Sequence, residues 1–255
     1  MQKIKLPLSV AIITKNEEKM LPDCLRSVSF ADDIVVVDSG STDRTVEIAK
    51  GFGCRVFIEE WKGDGPQKNS AVDKCMHNWV LVLDADERVP PETGEEILRI
   101  INDPKGADAY SFPRKNFFHG KWIRHCDWWP DRIVRLVKKD KGRSMSITHS
   151  RWATTGVLGE ADVPIEHRSF ESYSDMLKVV DGRTDETARE LYNEGRRANP
   201  LAPVSNAIGM FLKIYILKLG FLDGFDGLVI AFSRAEGVFY KYAKLIEIQR
   251  HKPKT

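Results

Sequence analysis

Four apolar runs in the first third of the chain, each followed by helical spacing, set the strongest limit on what this sequence can fold into. Leu8-Ser-Val-Ala-Ile-Ile13, Ile34-Val-Val-Val37, residues 55–58 and Trp79-Val-Leu-Val-Leu83 have the near-continuous apolar look of strands buried on both faces. Between them, residues 17–28 carry Met20, Leu21, Cys24, Leu25 and Val28 at helical spacing. Thr42-Asp43 opens a short helix that ends at Gly51, and residues 68–76 read as a third helix. Pro90-Pro91 starts a fourth over residues 92–101. This alternation predicts βαβ units and a parallel sheet. Right-handed crossovers place the strand C-termini along one edge, and ligands of such sheets bind outside that edge. The stretches to search for chemistry are therefore residues 14–17, 38–43, 61–68 and 84–88.

The character of the sequence then changes. Residues 110–168 are rich in aromatic and basic side chains, with short strands such as 133–137 between turns, and read as an extension of the sheet. From Ser172 onward helical periodicity takes over. Residues 174–197 are charged and amphipathic, Pro200 and Pro203 interrupt them, and two apolar helices follow over 206–219 and roughly 225–248. The expectation is an α/β domain over 1–170, divided near 105, with a helical extension over 171–255. A chain of 255 residues with 42% hydrophobic and 30% charged residues folds rather than staying disordered. Its net charge of +2 gives no argument for nucleic-acid binding. Cys24, Cys54, Cys75 and Cys126 form no Cys-x-x-Cys pair and fit a reducing cytoplasm as small buried hydrophobes. The first apolar stretch is short for a signal peptide, and no run reaches the about 20 residues of a membrane-spanning helix.

Asp84-Ala85-Asp86 follows an apolar strand, so two carboxylates at i and i+2 can converge on a hard divalent cation. Mg²⁺ or Mn²⁺ held this way would offset charge building on a diphosphate leaving group. Alone, Asp-x-Asp is a weak signal, since an Asp capping the next helix accounts for it equally well; its place after the fourth strand is what favours the cation. The second anchor is Val37-Asp-Ser-Gly-Ser-Thr-Asp-Arg-Thr45. Asp38 ends a strand, where its carboxylate would face the crevice and accept from a base N–H or a ribose hydroxyl. Gly40 permits the turn, and Thr42 or Asp43 can cap the helix. Lys68 lies in a Gly-rich stretch entering a helix, where it could meet a phosphate or simply be solvated.

Together these segments resemble the family-2 glycosyltransferases of GT-A fold. The residues that carry the likeness are Ser9-Val-Ala-Ile-Ile-Thr-Lys-Asn-Glu17, Val36-Val-Asp-Ser-Gly-Ser-Thr-Asp-Arg-Thr45, Lys68-Asn69 and Leu83-Asp-Ala-Asp-Glu87. Within the family the chain is most similar to the bacterial branch that includes lipopolysaccharide-core β-glucosyltransferases, through Arg114-Lys-Asn-Phe117, Trp122, Trp129-Pro-Asp131, Arg135-Leu136 and Gly220-Phe-Leu-Asp-Gly224. The resemblance implies a Rossmann-like, mostly parallel sheet flanked by helices. It implies a nucleotide-binding half over 1–105 and an acceptor half over 106–170. It also implies an inverting transfer from a nucleoside diphosphate sugar, UDP-linked, to a glycan or glycolipid of the bacterial envelope. Donor contacts would come from Thr14, Asn16, Glu17, Asp38, Ser39, Lys68, Asp84, Ala85 and Asp86, and metal contacts from Asp84, Asp86 and His149.

Inversion by single displacement needs a base for the acceptor hydroxyl. The resemblance leads to a His-Glu pair, and the matching place reads Thr148-His149-Ser150, with no acid. Asp127, Asp131 and Glu160 are the candidates to replace it, Asp127 and Asp131 first. Trp122, Trp128 and Trp129 would pack in a core or stack on a sugar, and Arg114, Lys115, Lys121 and Arg124 could meet anionic groups of an acceptor. The helix over 206–219 is apolar most of the way round, and the tail from Lys241 is basic, which suits either an anionic membrane surface at the inner face of the cytoplasmic membrane or packing against a second subunit. Two other readings compete with sugar transfer: a catalytically silent nucleotide-sugar-binding protein, and, with less support, a sugar nucleotidyltransferase.

Overall fold

The computed structural model describes residues 6–144 and 152–251. The parallel half contains, in chain order, β1 (Leu6–Thr14), α1 (Leu21–Ser27), β2 (Ala31–Asp38), α2 (Thr45–Gly51), β3 (Arg55–Ile58), α3 (Asp64–Asp73), β4 (Trp79–Asp84), β5 (Glu87–Arg88) and α4 (Pro91–Ile101). Strand β1 shows why the first apolar run lacks alternation. Leu8, Val10 and Ile12 join Leu21, Cys24 and Leu25 of α1 and Ile97 and Ile100 of α4 in one core cluster. Ala11 joins Ala71 and Val72 of α3 in the other. Side chains two apart share a face, so a strand sandwiched between helix layers must be apolar at every position. Ser9 is the exception in the middle of β1. Its hydroxyl donates to buried Asp33 at 2.6 Å, and Asp33 also accepts the Arg55 guanidinium through Nε and Nη2 at 2.9 Å each.

The rest of the sheet is supplied by β6 (Ala109–Phe118), β7 (Lys121–Trp122), β8 (Asp131–Lys138), β11 (Leu158–Glu160) and β12 (Ile165–Phe170), while β9 (Gly142–Ser144) and β10 (Trp152–Thr154) pair with each other. Helices α5 (Tyr173–Asn193), α6 (Ala202–Leu212) and α7 (Phe225–His251) complete the described chain. The strand order is β3-β2-β1-β4-β8-β6-β12-β5, with β7 and β11 pairing on β6. Strands β3, β2, β1 and β4 are parallel, and β8 enters antiparallel to β4. This is a Rossmann-like sheet, with the antiparallel extension that the aromatic stretch suggested.

Some element ends differ from their sequence expectation. Helix α1 begins at Leu21 rather than near residue 17; residues 18–20 form a turn, and the Met20 and Leu21 N–H groups donate to the Glu17 carbonyl. Helix α3 begins at Asp64, which puts Lys68 inside the helix and not on a loop. Pro203 does not break a helix; it is buried in the first turn of α6, where a missing N–H costs nothing. After α6 the backbone widens into a π-helical turn, Lys213–Leu217.

Two compact units emerge. The first is Met1–Lys115 with Asp131–His167; the second is Asn116–Pro130 with Arg168–Thr255. The segment Asn116–Pro130 therefore belongs with the C-terminal helices, although the linear reading put it with the first 170 residues. In the second unit Phe118, Ile123 and Cys126 are fully buried together with Met176, Ile214, Ile230 and Ala231. The Asp223 carboxylate accepts the N–H groups of Arg124 at 3.3 Å and His125 at 2.9 Å. Gly227 is required here: a Cβ on it would fall 1.9 Å from the Gly220 carbonyl oxygen.

Candidate active site

Two loops at the ends of the parallel strands are laced together. After β1, Asn16 takes the left-handed conformation, with φ 58°, which asparagine tolerates better than most residues. Its N–H donates to the Ser41 hydroxyl at 2.7 Å, and its side-chain oxygen accepts the Thr42 N–H at 2.8 Å. The Glu17 N–H donates to Thr45 Oγ1 at 2.7 Å. Asp43 accepts the Glu18 N–H at 3.1 Å and, at the start of α2, the Thr45 N–H at 3.0 Å. Burial raises the Asp43 carboxyl, but these bonds outweigh it and leave the group below the usual carboxylate range.

Asp38 is the hub of the same turn. One oxygen accepts the N–H groups of Gly40 at 3.0 Å and Ser41 at 2.8 Å; the other accepts the hydroxyls of Thr14, at 3.1 Å, and Ser41. Gly40 has φ 80°, as the turn demands. Asp38 is fully buried, so its carboxylate points into the loop it organises and not out into a crevice as the sequence suggested. Beside it, the Ser39 N–H donates to the Thr14 carbonyl at 2.9 Å, and the buried Ser39 hydroxyl has no partner among the described residues.

After β4, the two acids of the Asp-x-Asp motif have different surroundings. Asp84 is spoken for. Its Oδ1 lies 2.8 Å from Lys68 Nζ, and its Oδ2 lies 2.7 Å from the Arg135 guanidinium. Burial pushes its carboxyl up, yet the Lys68 and Arg135 cations prevail and hold it well below the ordinary range. Lys68 also reaches Asp64 at 3.2 Å, so in this structure it is a buried, ion-paired lysine and not a solvated surface one. Arg135 bonds Glu87 through Nε and Nη2, at 2.8 and 2.7 Å. Burial disfavours the Arg135 charge, but Glu87 and Asp84 more than compensate and raise its pKa. Arg88 donates to the Ala85 carbonyl at 2.9 Å and to the Met20 carbonyl at 2.7 Å, which ties the motif to the turn before α1.

Asp86 is less committed. Its Oδ2 is 3.1 Å from His167 Nε2, while its Oδ1 is buried and has no hydrogen-bond partner among the described residues. The antiparallel pairing of β5 with β12 sets His167 opposite Glu87. Glu17 lies within the field of this cluster. Burial, then the Asp86, Asp43 and Asp84 carboxylates, push its carboxyl up to about 7 against the pull of Arg88. A carboxylate oxygen left bare in a site crowded with negative charge is the setting that a hard cation relieves. Oxygen donors of this kind suit Mg²⁺ or Mn²⁺. Among the described residues no group of three or more His, Cys, Asp or Glu side chains is arranged to hold a metal by itself. The third expected ligand, His149, and the Thr148-His149-Ser150 segment lie outside the described residues.

The candidate bases are both ion-paired. Asp131 accepts from Arg114, with Nε at 2.9 Å and Nη2 at 2.5 Å. Arg114 in turn lies 3.6 Å from Glu87, so Asp131 connects through two arginines to the Asp84 cluster. Asp127 belongs to the second unit, where Lys218 pairs with it at 2.7 Å and holds its carboxyl below the usual range. Glu160 is exposed, 3.5 Å from Arg132. Of the residues expected to meet an anionic acceptor, Arg114 is taken by Asp131, Lys121 donates to the Asp223 carbonyl at 2.6 Å, and Arg124 stacks 4.5 Å over the Trp122 ring. Trp122 and Trp129 meet edge to face with centroids 5.1 Å apart, and Trp128 packs against the core of the second unit.

Asp84, Asp86 and Glu17, which the sequence marks by their positions after strands, lie in one electrostatic cluster. Sequence reasoning missed His167, Arg135 and Glu87. Alternation in Ile165-Glu-His-Arg-Ser-Phe170 puts His167 on the same side as buried Ile165, and that was the available signal.

Comparison with known proteins gives the same direction. The profile of Glycosyl transferase family 2 matches residues 9–156. A glycosyltransferase of Rickettsia typhi, described as uncharacterized, is 30% identical over 94% of this chain and 87% of its own length. The lipopolysaccharide core biosynthesis glycosyltransferase LpsC of Rhizobium meliloti is 27% identical over 94% of both chains. The undecaprenyl-phosphate 4-deoxy-4-formamido-L-arabinose transferase of Pseudomonas paraeruginosa is 33% identical over 54% of this chain and 43% of its own.

Proposed function

The chain belongs to glycosyl transferase family 2, and on that premise we propose that it moves a sugar, with inversion, from a nucleoside diphosphate donor to a glycan or glycolipid of the bacterial cell envelope. UDP is the nucleotide we assign. The observation that carries this reading is Asp86, which keeps a buried, unpartnered carboxylate oxygen beside His167 at the edge where the parallel strands end. Asp86 and His167 would hold the divalent cation, Mg²⁺ or Mn²⁺. The cation would supply positive charge against the departing diphosphate.

The protein's own residues do the rest. Asp84 stays ionised through Lys68 and Arg135 and fixes those cations at the site. Asp38 holds the turn at residues 38–41 in one shape, so that loop presents its backbone, Ser39 and the neighbouring Thr14–Glu17 stretch to the nucleoside. Of the two proposed bases, Asp131 shares a unit with the donor site and joins it through Arg114 and Glu87. In the reaction the acceptor oxygen bonds to the anomeric carbon as the bond to the diphosphate breaks, and the hydroxyl proton passes to the base. The LpsC and undecaprenyl-phosphate relatives support an envelope acceptor.

The test is direct. The protein is incubated with a panel of UDP-sugars and Mn²⁺, with and without envelope glycolipid, and UDP release and sugar incorporation are both measured. Cation-dependent UDP release that rises with acceptor is expected. Tight UDP binding with no turnover on any acceptor would favour a silent binding protein, and pyrophosphate chemistry on a sugar phosphate would favour a nucleotidyltransferase.

A further inference from the structure

An apolar stripe runs along α6 and faces solvent. Leu201, Val204, Ile208, Leu212 and Ile216 succeed one another at three- or four-residue spacing, and each is 48 to 76% exposed. The other side of the same helix is also apolar: Pro203 and Ile214 are buried, and Met210 and Phe211 pack on the core of the second unit. A surface helix of a soluble domain ordinarily carries polar residues opposite its core face. Contiguous exposed apolar surface marks a contact site.

Charge decides the partner. Between Glu194 and Asp223 the sequence holds Arg196, Arg197, Lys213 and Lys218 and no acidic residue; Lys218 is paired with Asp127, which leaves Arg196, Arg197 and Lys213. A second copy laid on this face across a two-fold axis would set these remaining cations against one another, since the Asp127 carboxylate is already held by Lys218. Anionic headgroups supply the missing charge. Among the described residues no helix is long and apolar enough to cross a membrane. An apolar stripe flanked by cations on a short helix suits a helix lying in the plane of the interface.

We propose that α6 and the π-helical turn after it seat the protein in the headgroup layer of an anionic bilayer. This deepens the reading of the protein as an envelope glycosyltransferase, since it brings the enzyme to a lipid-borne acceptor, but its test uses neither donor nor acceptor.

The full chain is sedimented with vesicles of phosphatidylcholine alone and of phosphatidylcholine with about one-third phosphatidylglycerol, at low and high salt. Binding to the anionic vesicles, weakened by salt, is expected. The double variant Ile208→Glu/Leu212→Glu should lose at least about tenfold in affinity. Lys213→Ala, at an exposed position, should lose about fivefold. Circular dichroism melting checks that each variant is folded, and cation-dependent UDP binding should be unchanged in both. Failure of the wild-type chain to sediment with either vesicle overturns the proposal. So does a concentration-dependent dimer that the double variant abolishes. Vesicle binding by a chain that transfers no sugar would sustain the membrane contact and defeat the functional reading.

Discussion

His167 Nε2 stands 3.1 Å from Asp86 Oδ2, although 81 residues separate the two in the chain. The contact exists because β12 returns antiparallel to the two-residue strand β5, opposite Glu87. It leaves the second Asp86 oxygen bare. If this pair holds the cation, Asp86→Ala should abolish Mn²⁺-dependent UDP binding in calorimetry. His167→Ala should weaken it by about 10- to 100-fold. Unchanged affinity in both variants would remove the pair from the donor site.

The raised Glu17 carboxyl gives a pH dependence with a definite sign. A carboxyl moved from 4.5 to about 7 holds its proton more tightly in the folded chain than in the unfolded one. That contribution to stability is complete below the unfolded value and is lost as pH rises toward 7. A cation favours the ionised form, so Mn²⁺ affinity should increase through pH 7 with uptake of the cation releasing a proton below it. Calorimetry in buffers of different ionisation enthalpy reads that proton. Glu17→Gln should flatten the profile; a slope that survives the substitution assigns the titration elsewhere.

Arg135 is nearly inaccessible and serves two buried or half-buried carboxylates at once. Removing one member of such a network strands the others. Arg135→Met should therefore cost about 3–5 kcal/mol in urea unfolding. Arg135→Lys should also destabilise, because a lysine cannot reproduce the two-pronged bond to Glu87. A loss under about 1 kcal/mol for both would show that the network relaxes without harm.

For the acceptor base, Asp131→Asn should lower kcat by about 10²- to 10⁴-fold while leaving UDP affinity intact. Asp127→Asn should change kcat by less than about tenfold. Steady-state kinetics with donor and acceptor varied separately distinguish the two, and the opposite ranking would move the base to the second unit.

The parallel half of the fold was legible because a strand covered by helices on both faces has no polar positions to hide it, and β3 and β4 fall where their apolar runs do. Asp84 and Asp86 were legible for a related reason: the carboxylates follow directly on such a strand. Their division of labour was not. Lys68 and Arg135 reach Asp84 from α3 and β8, and that meeting depends on the antiparallel register of β8 against β4, which no local pattern encodes. Asp38 shows the same limit on a smaller scale. Its place after β2 was evident, but the inward turn of its side chain follows from four donors of its own chain.

The pairing of Asn116–Pro130 with the C-terminal helices bears on how this chain tolerates truncation. Phe118, Ile123 and Cys126 are covered largely by residues that arrive after position 170, among them Met176, Ile214, Ile230 and Ala231. Stopping synthesis there would not trim an optional appendage; it would leave a greasy scar on an otherwise finished sheet, and the shortened product should be sticky and prone to precipitate.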